Sequence, residues 1–188
     1  MVKILYSTIL YNPDSLAVER IRKIFSERTD LAMAVYVNKA ETRILSLFHD
    51  LSNVLTMGQG KNDGLGYAMN ALGKYASSGG YDWLVYFDQD TSFDVTTTDT
   101  LQLVLSGNSY SLSGVASINL SDRSKGEPNV LHDVVLPMGS GVAFSVTCLV
   151  KLGFHSKDIF LDCNDYDFDL RARAMGFRQT ILYSFPGV

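Results

Sequence analysis

The sequence has few of the residues that mark disulfide-stabilised or metal-binding proteins. Its two cysteines, Cys148 and Cys163, show neither a paired spacing nor a Cys-x-x-Cys motif. We therefore interpret both as buried, reduced thiols, the usual state of free cysteine inside a cell. The three histidines, His49, His132 and His155, have no metal-site spacing either, so we expect them to be solvated or hydrogen-bonded structural residues.

The chain also lacks long apolar runs. No segment is apolar over the roughly 18 residues that a membrane-spanning helix requires. Met1-Val2-Lys3 leads directly into an apolar strand-like stretch, without the cleavage-like site of a secretory leader. These absences predict a cytoplasmic location.

Positive charge is not in excess. Lys and Arg number 16 against 20 Asp and Glu, which gives a net charge of −4. Proteins that bind nucleic acid usually carry a basic excess or stripe, so we expect no nucleic-acid partner. A hydrophobic content of 46% with 19% charged residues is typical of a globular chain. Because no linker or change of composition interrupts it, we predict one domain over residues 1–188.

What the sequence does contain is an alternation of apolar runs and helical patterns. In the first half we predict strands at Lys3–Thr8, Leu31–Val37, Asn53–Thr56 and Trp83–Phe87, with helices between them at 17–27, 42–51 and 65–76. In the second half we predict helices at 97–105, 147–152 and 165–175, and strands at 113–118, 130–136 and 179–183. Continuous apolar strands that alternate with helices predict an α/β fold, with a mostly parallel central sheet and helices on both faces.

Two acids follow the fourth predicted strand. Asp88 and Asp90 stand one residue apart where an open α/β sheet binds its ligands, beyond the carboxyl ends of the strands. Carboxylate oxygens suit Mg²⁺ or Mn²⁺, which can be shared with the phosphates of a substrate. The alternative is that the acids only end the strand and cap the next turn.

Several short motifs resemble, in family order, those of the rhamnosyltransferase-like members of glycosyltransferase family 2. They are Tyr11-Asn12-Pro13-Asp14, the group Asn62, Gly64 and Asn70, the metal-type motif Asp88-Gln89-Asp90-Thr91, Ser140-Gly141, Gly153-Phe154 with Ile159-Phe160-Leu161-Asp162, and the acidic box Asn164–Arg171. Each match is loose, but the ordered set extends over nearly the whole chain.

The resemblance implies a single GT-A-type nucleotide-binding domain with a metal-assisted donor site. Asp90 would ligate a divalent cation, Mg²⁺ or Mn²⁺, and Asp88 would serve the metal or the donor. Nucleotide-sugar binding would involve Tyr11, Asn12, Asn38, Asn62 and Asp88. The alternative for Tyr11 and Asn12 is a plain strand-to-helix turn.

The acidic box would serve the acceptor. By resemblance Asp165 is the catalytic base of an inverting transfer, and Ser140, Gly141 and Asp167 lie on the acceptor side. On physical grounds Asp165 and Asp167 could equally be first-turn acids favoured by the helix dipole. Asp167 with Arg171 and Asp169 with Arg173 could also be ordinary i,i+4 pairs on a solvated helix. We expect the first-turn position to keep Asp165 readily ionised.

The implied activity is transfer of a hexose, such as rhamnose, from a dTDP- or UDP-sugar to a polysaccharide or glycolipid acceptor. Such an acceptor would bring the protein to the inner face of the membrane. Val37-Asn38 stands where relatives carry Asp-Asn, and no His follows the last predicted strand to complete a metal shell, so the chain is short at its C-terminus relative to the family. Two alternatives therefore stay open: a nucleotide-sugar-binding module without turnover, and a nucleotidyltransferase.

Overall fold

The structure, a computed structural model, describes residues 2–107, 110–137 and 140–185. Its strands are β1 (Ile4–Tyr11), β2 (Ala32–Lys39), β3 (Val54–Met57), β4 (Trp83–Asp88), β5 (Val115–Ser121), β6 (Leu131–Val134), β7 (Gly141–Ser145) and β8 (Arg178–Tyr183). Its helices are α1 (Ser15–Glu27), α2 (Thr42–Ser46), α3 (Leu65–Ser78), α4 (Val95–Leu105), α5 (Val146–Leu152) and α6 (Asn164–Ala174). A short 3-10 helix lies at Arg123–Lys125.

All these strands belong to one sheet. Their order is β3-β2-β1-β4-β7-β5-β8-β6. Pairing is parallel from β3 to β4 and between β5 and β8, whereas β7 is antiparallel to both of its neighbours and β6 is antiparallel to β8. The carboxyl ends of β1, β2, β3, β4, β5 and β8 therefore meet at the same edge of the sheet.

Apolar side chains cover both faces of the sheet. On one face α1, α2 and α4 contribute Ile21, Ile44 and Leu101 to a cluster with β1 and β2. On the other face α3, α5 and α6 contribute Leu72, Leu149 and other buried side chains to a second cluster. The predicted class, an α/β fold with a mostly parallel sheet and helices on both faces, is confirmed.

Local signals set the helix ends. The Asp14 carboxylate accepts from the N–H of Ala17 at 2.7 Å and caps α1. Asp94 and Thr97 form a reciprocal capping box at the start of α4. Gly153 ends α5 with a left-handed φ of 78°, which only glycine adopts without strain.

Strand β7 was not predicted. Its five residues follow the Ser140-Gly141 motif and lie in the centre of the sheet, between β4 and β5. The run is short and has no alternation to distinguish it from a loop, so its strand identity comes from pairing with β4. Conversely, the predicted strand over 130–136 is limited to β6.

The predictions for Cys163 and His155 were wrong. Cys148 is buried, but Cys163 is exposed, because it lies at the turn into α6 with a φ of 66°. His155 is neither solvated nor hydrogen-bonded through its ring: it is buried, and within the described residues neither ring nitrogen has a partner.

Among the described residues, every helix is too short or too polar to cross a membrane.

Candidate functional site

A cleft of about 490 Å³ opens at the carboxyl ends of β1, β2 and β4. Its walls include five polar residues that the sequence singled out: Tyr11, Asn38, Asn62, Asp88 and Asp90. Because parallel strands end at the same edge, residues far apart in the sequence meet here. The volume is within the range of small-molecule sites.

The turn that carries Asp88 and Asp90 is held from two neighbouring strands. Gln89, between the two acids, accepts from the N–H of Tyr11 at 2.8 Å and donates to its carbonyl oxygen at 3.1 Å. On the other side the hydroxyl of Thr91 donates to the carbonyl oxygen of Ser140 at 2.8 Å. The Asp88 N–H reaches that same carbonyl oxygen at 3.2 Å.

Helix α1 supports the same turn from below. The guanidinium of Arg20 donates to the carbonyl oxygen of Thr91 at 2.7 Å and to that of Asp90 at 3.4 Å. The rings of Phe87 and Phe93 stack with centroids 4.0 Å apart, which fixes the chain where it leaves the turn. The side chain of Asp90 therefore projects from a braced backbone while remaining exposed.

Asp88 occupies an electrostatically unfavourable position for a carboxylate. Partial burial raises its pKa, and the charges of Asp90 and Asp165 raise it further. The hydroxyl of Tyr86 donates to Asp88 Oδ1 at 2.8 Å and acts in the opposite direction. Three carboxylates thus influence one region, and a bound cation would relieve their repulsion.

The donor set fits a hard divalent cation. Asp88 and Asp90 offer carboxylate oxygens, the ligands that Mg²⁺ and Mn²⁺ prefer. Within the described ranges no group of three or more His, Cys, Asp or Glu residues is placed to hold a metal. Mg²⁺ commonly takes one or two carboxylates and fills its shell with water and substrate phosphates, so two carboxylates suffice.

The far end of the cleft is lined by amides. The Asn38 side chain donates to Asn62 Oδ1 at 3.2 Å and accepts from the N–H of Asp63 at 2.8 Å. Tyr36 fixes Asp63 through a hydrogen bond of 2.9 Å from its hydroxyl. Asn38 is buried in this network, so the amide pair has a defined orientation at the cleft wall.

Asn12 does not line this cleft. It has a left-handed φ of 44°, and its N–H donates to the carbonyl oxygen of Lys39 at 2.6 Å. Its side chain borders a separate hollow with Pro13 and Arg43. Asn12 and Tyr11 therefore line different cavities, and the position of Asn12 agrees with the alternative interpretation, a strand-to-helix turn.

A second hollow, of about 410 Å³, adjoins the cleft. Leu65 and Leu161 line both cavities, and Asp165 lines only the second. Helix α6 precedes β8, so its first turn lies at the carboxyl edge of the sheet and brings Asp165 there. The surrounding protein desolvates the carboxyl although it is open to the hollow, and this raises its pKa. The expectation of ready ionisation considered only the first-turn position, whereas desolvation acts against the charged form of this carboxyl.

The other residues predicted for the acceptor side lie in two different places: Ser140 and Gly141 are beside Asp88, and Asp167 is away from both cavities. Gly141 pairs with Phe87 at the start of β7, so Ser140 is next to Asp88. Asp167 forms an i,i+4 ion pair with Arg171 at 2.6 Å and borders neither cavity. Arg171 also donates to the carbonyl oxygens of Leu152 and Phe154, so this pair ties α6 to the end of α5.

The segment 156–161 closes one side of the cleft and depends on glycine. Leu65 N–H donates to the carbonyl oxygen of Phe160 at 2.6 Å. A Cβ on Gly64 would come within 2.7 Å of that oxygen, and one on Gly66 would collide with the carbonyl oxygens of Ser156 and Ile159. Only glycine lets the segment approach α3 this closely.

Sequence reasoning missed several residues of the site. Gln89 and Tyr86 are the clearest cases. The partner of Gln89, Tyr11, is in another strand, and the partner of Tyr86, Asp88, lies two residues along the same strand face. Phe160 and Leu161 were noted only as parts of a motif, yet both line the cleft and are more than half exposed. The exposure of Phe160 could not be read from the sequence, because large apolar side chains are usually buried.

Comparison with known proteins supports the fold. No protein-family model and no curated protein sequence matches the chain significantly. The solved structures similar to it include a mannosyltransferase from Pyrobaculum calidifontis in complex with GDP-Man and Mn²⁺, at 16% identity and a TM-score of 0.69 over 95% of this chain. GalNAc-T7 with UDP, GalNAc and Mn²⁺ aligns over 97% of this chain at 9% identity and a TM-score of 0.72.

A third similar structure is the 1–349 portion of S. aureus TarS, at 13% identity and a TM-score of 0.67 over 98% of this chain. Our chain spans 59%, 56% and 42% of the TarS, mannosyltransferase and GalNAc-T7 chains, respectively. At such low identities the likeness concerns the fold alone, which is of the GT-A type predicted from the sequence.

Proposed function

We propose that this chain is a glycosyltransferase that moves a sugar from a nucleoside-diphosphate donor to a saccharide or glycolipid acceptor. The observation that carries the proposal is the pair of adjoining cavities. The larger contains the carboxylates of Asp88 and Asp90, the smaller contains Asp165, and Leu65 and Leu161 line both. Such an arrangement can bind two substrates with their reacting groups at the junction.

The donor would occupy the larger cleft. Its nucleoside would contact Tyr11 and the amides of Asn38 and Asn62, and its diphosphate would lie near Asp88 and Asp90. A bound Mg²⁺ or Mn²⁺ would neutralise the charge that develops on the diphosphate as it leaves. Tyr86, through its hydrogen bond to Asp88, would keep that carboxylate oriented.

The acceptor would occupy the smaller hollow. Its hydroxyl oxygen would attack the anomeric carbon while Asp165 takes the hydroxyl proton. The new carbon–oxygen bond forms as the bond to the diphosphate oxygen breaks, and the nucleoside diphosphate leaves. Attack from the side opposite the leaving group would invert the anomeric centre. Because burial raises the pKa of Asp165, transfer should require a pH at which this carboxyl has ionised.

Two lines of support favour this function. The fold is similar to that of a mannosyltransferase with GDP-Man and Mn²⁺ and of GalNAc-T7 with UDP and Mn²⁺. The motif order resembles that of rhamnosyltransferase-like proteins, which favours a dTDP- or UDP-linked rhamnose or related hexose. A cytoplasmic protein that acts at the inner face of the membrane would be consistent with a glycolipid acceptor.

The test is release of nucleoside diphosphate. The protein is incubated with UDP-, dTDP- and GDP-sugars and Mn²⁺, with and without saccharide acceptors. We expect release that requires Mn²⁺ and is strongly reduced in Asp165→Asn. Binding of nucleotide without release would indicate a binding module instead, and consumption of a sugar phosphate with a nucleoside triphosphate would indicate a nucleotidyltransferase. Either result would overturn the proposal.

A further inference from the structure

A second carboxyl lies beneath Asp165, and the proposed reaction does not use it. Asp169 follows Asp165 by four residues, so the two lie on the same face of α6. Asp169 is only 4% exposed, whereas Asp165 is open to the acceptor hollow. Both line a small cavity, with about 10 Å³ accessible to the centre of a water molecule, together with Ser117 and Asn119 of β5. The cavity has room for about one water molecule.

Two buried polar atoms near Asp169 have no hydrogen-bond partner within the part of the chain that the structure describes. Gln179 of β8 donates from Nε2 to the backbone carbonyl of Asp169 at 3.1 Å. The other end of the same amide, Oε1, has no partner among the residues described, and neither has the buried hydroxyl oxygen of Ser117. Unpartnered buried polar atoms are costly, and a neutral Asp169 carboxyl can both donate and accept a hydrogen bond, whereas its carboxylate can only accept.

The surroundings of Asp169 raise its pKa. Burial and then the charge of Asp165 raise the pKa of Asp169 to about 7, and Arg173 on the same helix only partly opposes them. The side chains that face it from β5 and β8, Ser117, Asn119 and Gln179, are uncharged. His155, which stacks on Phe168 beside this cavity, is neutral because burial lowers its pKa to about 3.

We propose that Asp169 is a positioning residue for the base, a neutral carboxyl that keeps its proton while Asp165 is ionised and stabilises that carboxylate from below. Two carboxyls in one poorly hydrated site cannot both ionise at low cost, so the more deeply buried one retains the proton. During transfer the acceptor proton moves to Asp165, and Asp169 keeps its own. The positioning role rests on the proposed function, whereas the proton on Asp169 does not.

The consequence is a loss of transfer on the alkaline side. When Asp169 ionises, the donor beneath Asp165 disappears and a second negative charge enters the site. The neutral fraction of a group that titrates near pH 7 falls about ten-fold between pH 6 and pH 8. A group that acts only through packing would give no such dependence.

The first test is the pH profile of kcat. We expect kcat of the parent protein to fall about ten-fold from pH 6 to pH 8 relative to Asp169→Asn, which cannot ionise but keeps a donor. Asp82→Asn, a control at the exposed residue before β4 and at the opposite end of that strand from the cleft, should follow the parent profile. Identical profiles for the parent and Asp169→Asn would overturn the inference.

The second test needs no activity. Carbon-13 NMR of the Asp carboxyl groups, in the nucleotide-free protein, should show one resonance that titrates near pH 7. It should be missing in Asp169→Asn and should titrate at lower pH in Asp165→Asn, which removes the neighbouring charge. Should Asp169→Asn fail to fold, the shift in Asp165→Asn decides the assignment.

The two proposals fail separately. If the parent protein transfers sugar but no Asp resonance titrates near pH 7, the inference about Asp169 is overturned and the function stands. If that resonance is present and responds to Asp165→Asn but no sugar is released, the function fails and the positioning role fails with it. The protonated Asp169 beside Asp165 would then remain as a property of the fold.

Discussion

Gln89 and Tyr11 form two hydrogen bonds between a side-chain amide and a backbone peptide, at 2.8 and 3.1 Å. The last residues paired between β1 and β4 are Ile9 and Asp88. Beyond that point the Gln89 amide takes the place of a neighbouring strand and satisfies both backbone groups of Tyr11. This clamp fixes the spacing between Tyr11 and the acidic end of the cleft.

The first prediction follows from this clamp. Gln89→Ala should lower the free energy of unfolding by about 1–2 kcal/mol, since each hydrogen bond contributes about 0.5–1.5 kcal/mol. It should weaken nucleotide binding as well, because Asp88 and Asp90 then lose their fixed position relative to Tyr11. Urea unfolding and titration with UDP or dTDP measure the two effects. Gln102→Ala, in α4 and away from the cleft, is the matched control, and an equal loss of affinity there would refute the clamp.

The second prediction concerns the cation. UDP or dTDP should raise the melting temperature more with Mn²⁺ than with EDTA, because a ligand that binds only the native state stabilises it. At about 100 times Kd the gain is about 2.7 kcal/mol. Asp90→Ala should lose the Mn²⁺-dependent part and still fold, since Asp90 is exposed and Gln89, Thr91 and Arg20 hold its backbone. Asp82→Ala, at the other end of β4 from the acidic pair, should keep it. An unchanged Mn²⁺ effect in Asp90→Ala would remove the acidic pair from the site.

The third prediction assigns the base. Asp165→Asn preserves the shape of the side chain but removes the proton acceptor, so sugar transfer should fall by about 10²–10⁴-fold. Nucleotide binding and the Mn²⁺ effect should persist, because Asp165 does not line the larger cleft. The melting temperature should change little, since the carboxyl is open to the hollow. Asp167→Asn should reduce transfer less and stability more, because it leaves Arg171 without its ion pair. Transfer at the parent rate in Asp165→Asn would show that another group is the base.

The fourth prediction concerns stability in acid. His155 stacks on Phe168 and contacts Phe144 edge to face, and burial lowers its pKa from 6.5 to about 3. The folded state therefore binds this proton less readily than the unfolded state. Its contribution to stability is fully present above pH 6.5 and is lost as the pH falls from 6.5 toward 3, by about 1.4 kcal/mol per pH unit.

His155→Phe should keep the aromatic stack and remove this loss. Urea unfolding at pH 7, 5.5 and 4.5 should give a smaller decrease for the variant than for the parent protein. The buried carboxyls with raised pKa values act in the opposite direction, but they are common to both proteins and cancel in the comparison. His49→Gln, at an exposed position, should show the parent decrease. An equal slope for His155→Phe would mean that His155 is not the group that titrates.

The alternation of strands and helices could be read from the sequence because it depends on local periodicity and capping. The run Trp83–Phe87 is apolar throughout, and Asp14 and Asp94 cap the helices that follow them. Because parallel strands end at the same edge of a sheet, the predicted strands alone were enough to place Tyr11 and Asp88 at one edge. The catalytic and binding roles of these residues remain predictions.

The tertiary structure decided what depends on neighbours distant in the chain. Strand β7 is a strand because β4 and β5 pair with it, and Asn12 turns away from the cleft through its bond to Lys39. The sequence suggested that the helix dipole would keep Asp165 ionised, but burial raises its pKa. The i,i+4 spacing of Asp169 and Arg173 suggested a pair on a solvated helix, which is wrong for Asp169, because that residue is buried. Periodicity is a property of consecutive residues, whereas desolvation depends on every atom that surrounds a group, and only the folded chain places those atoms.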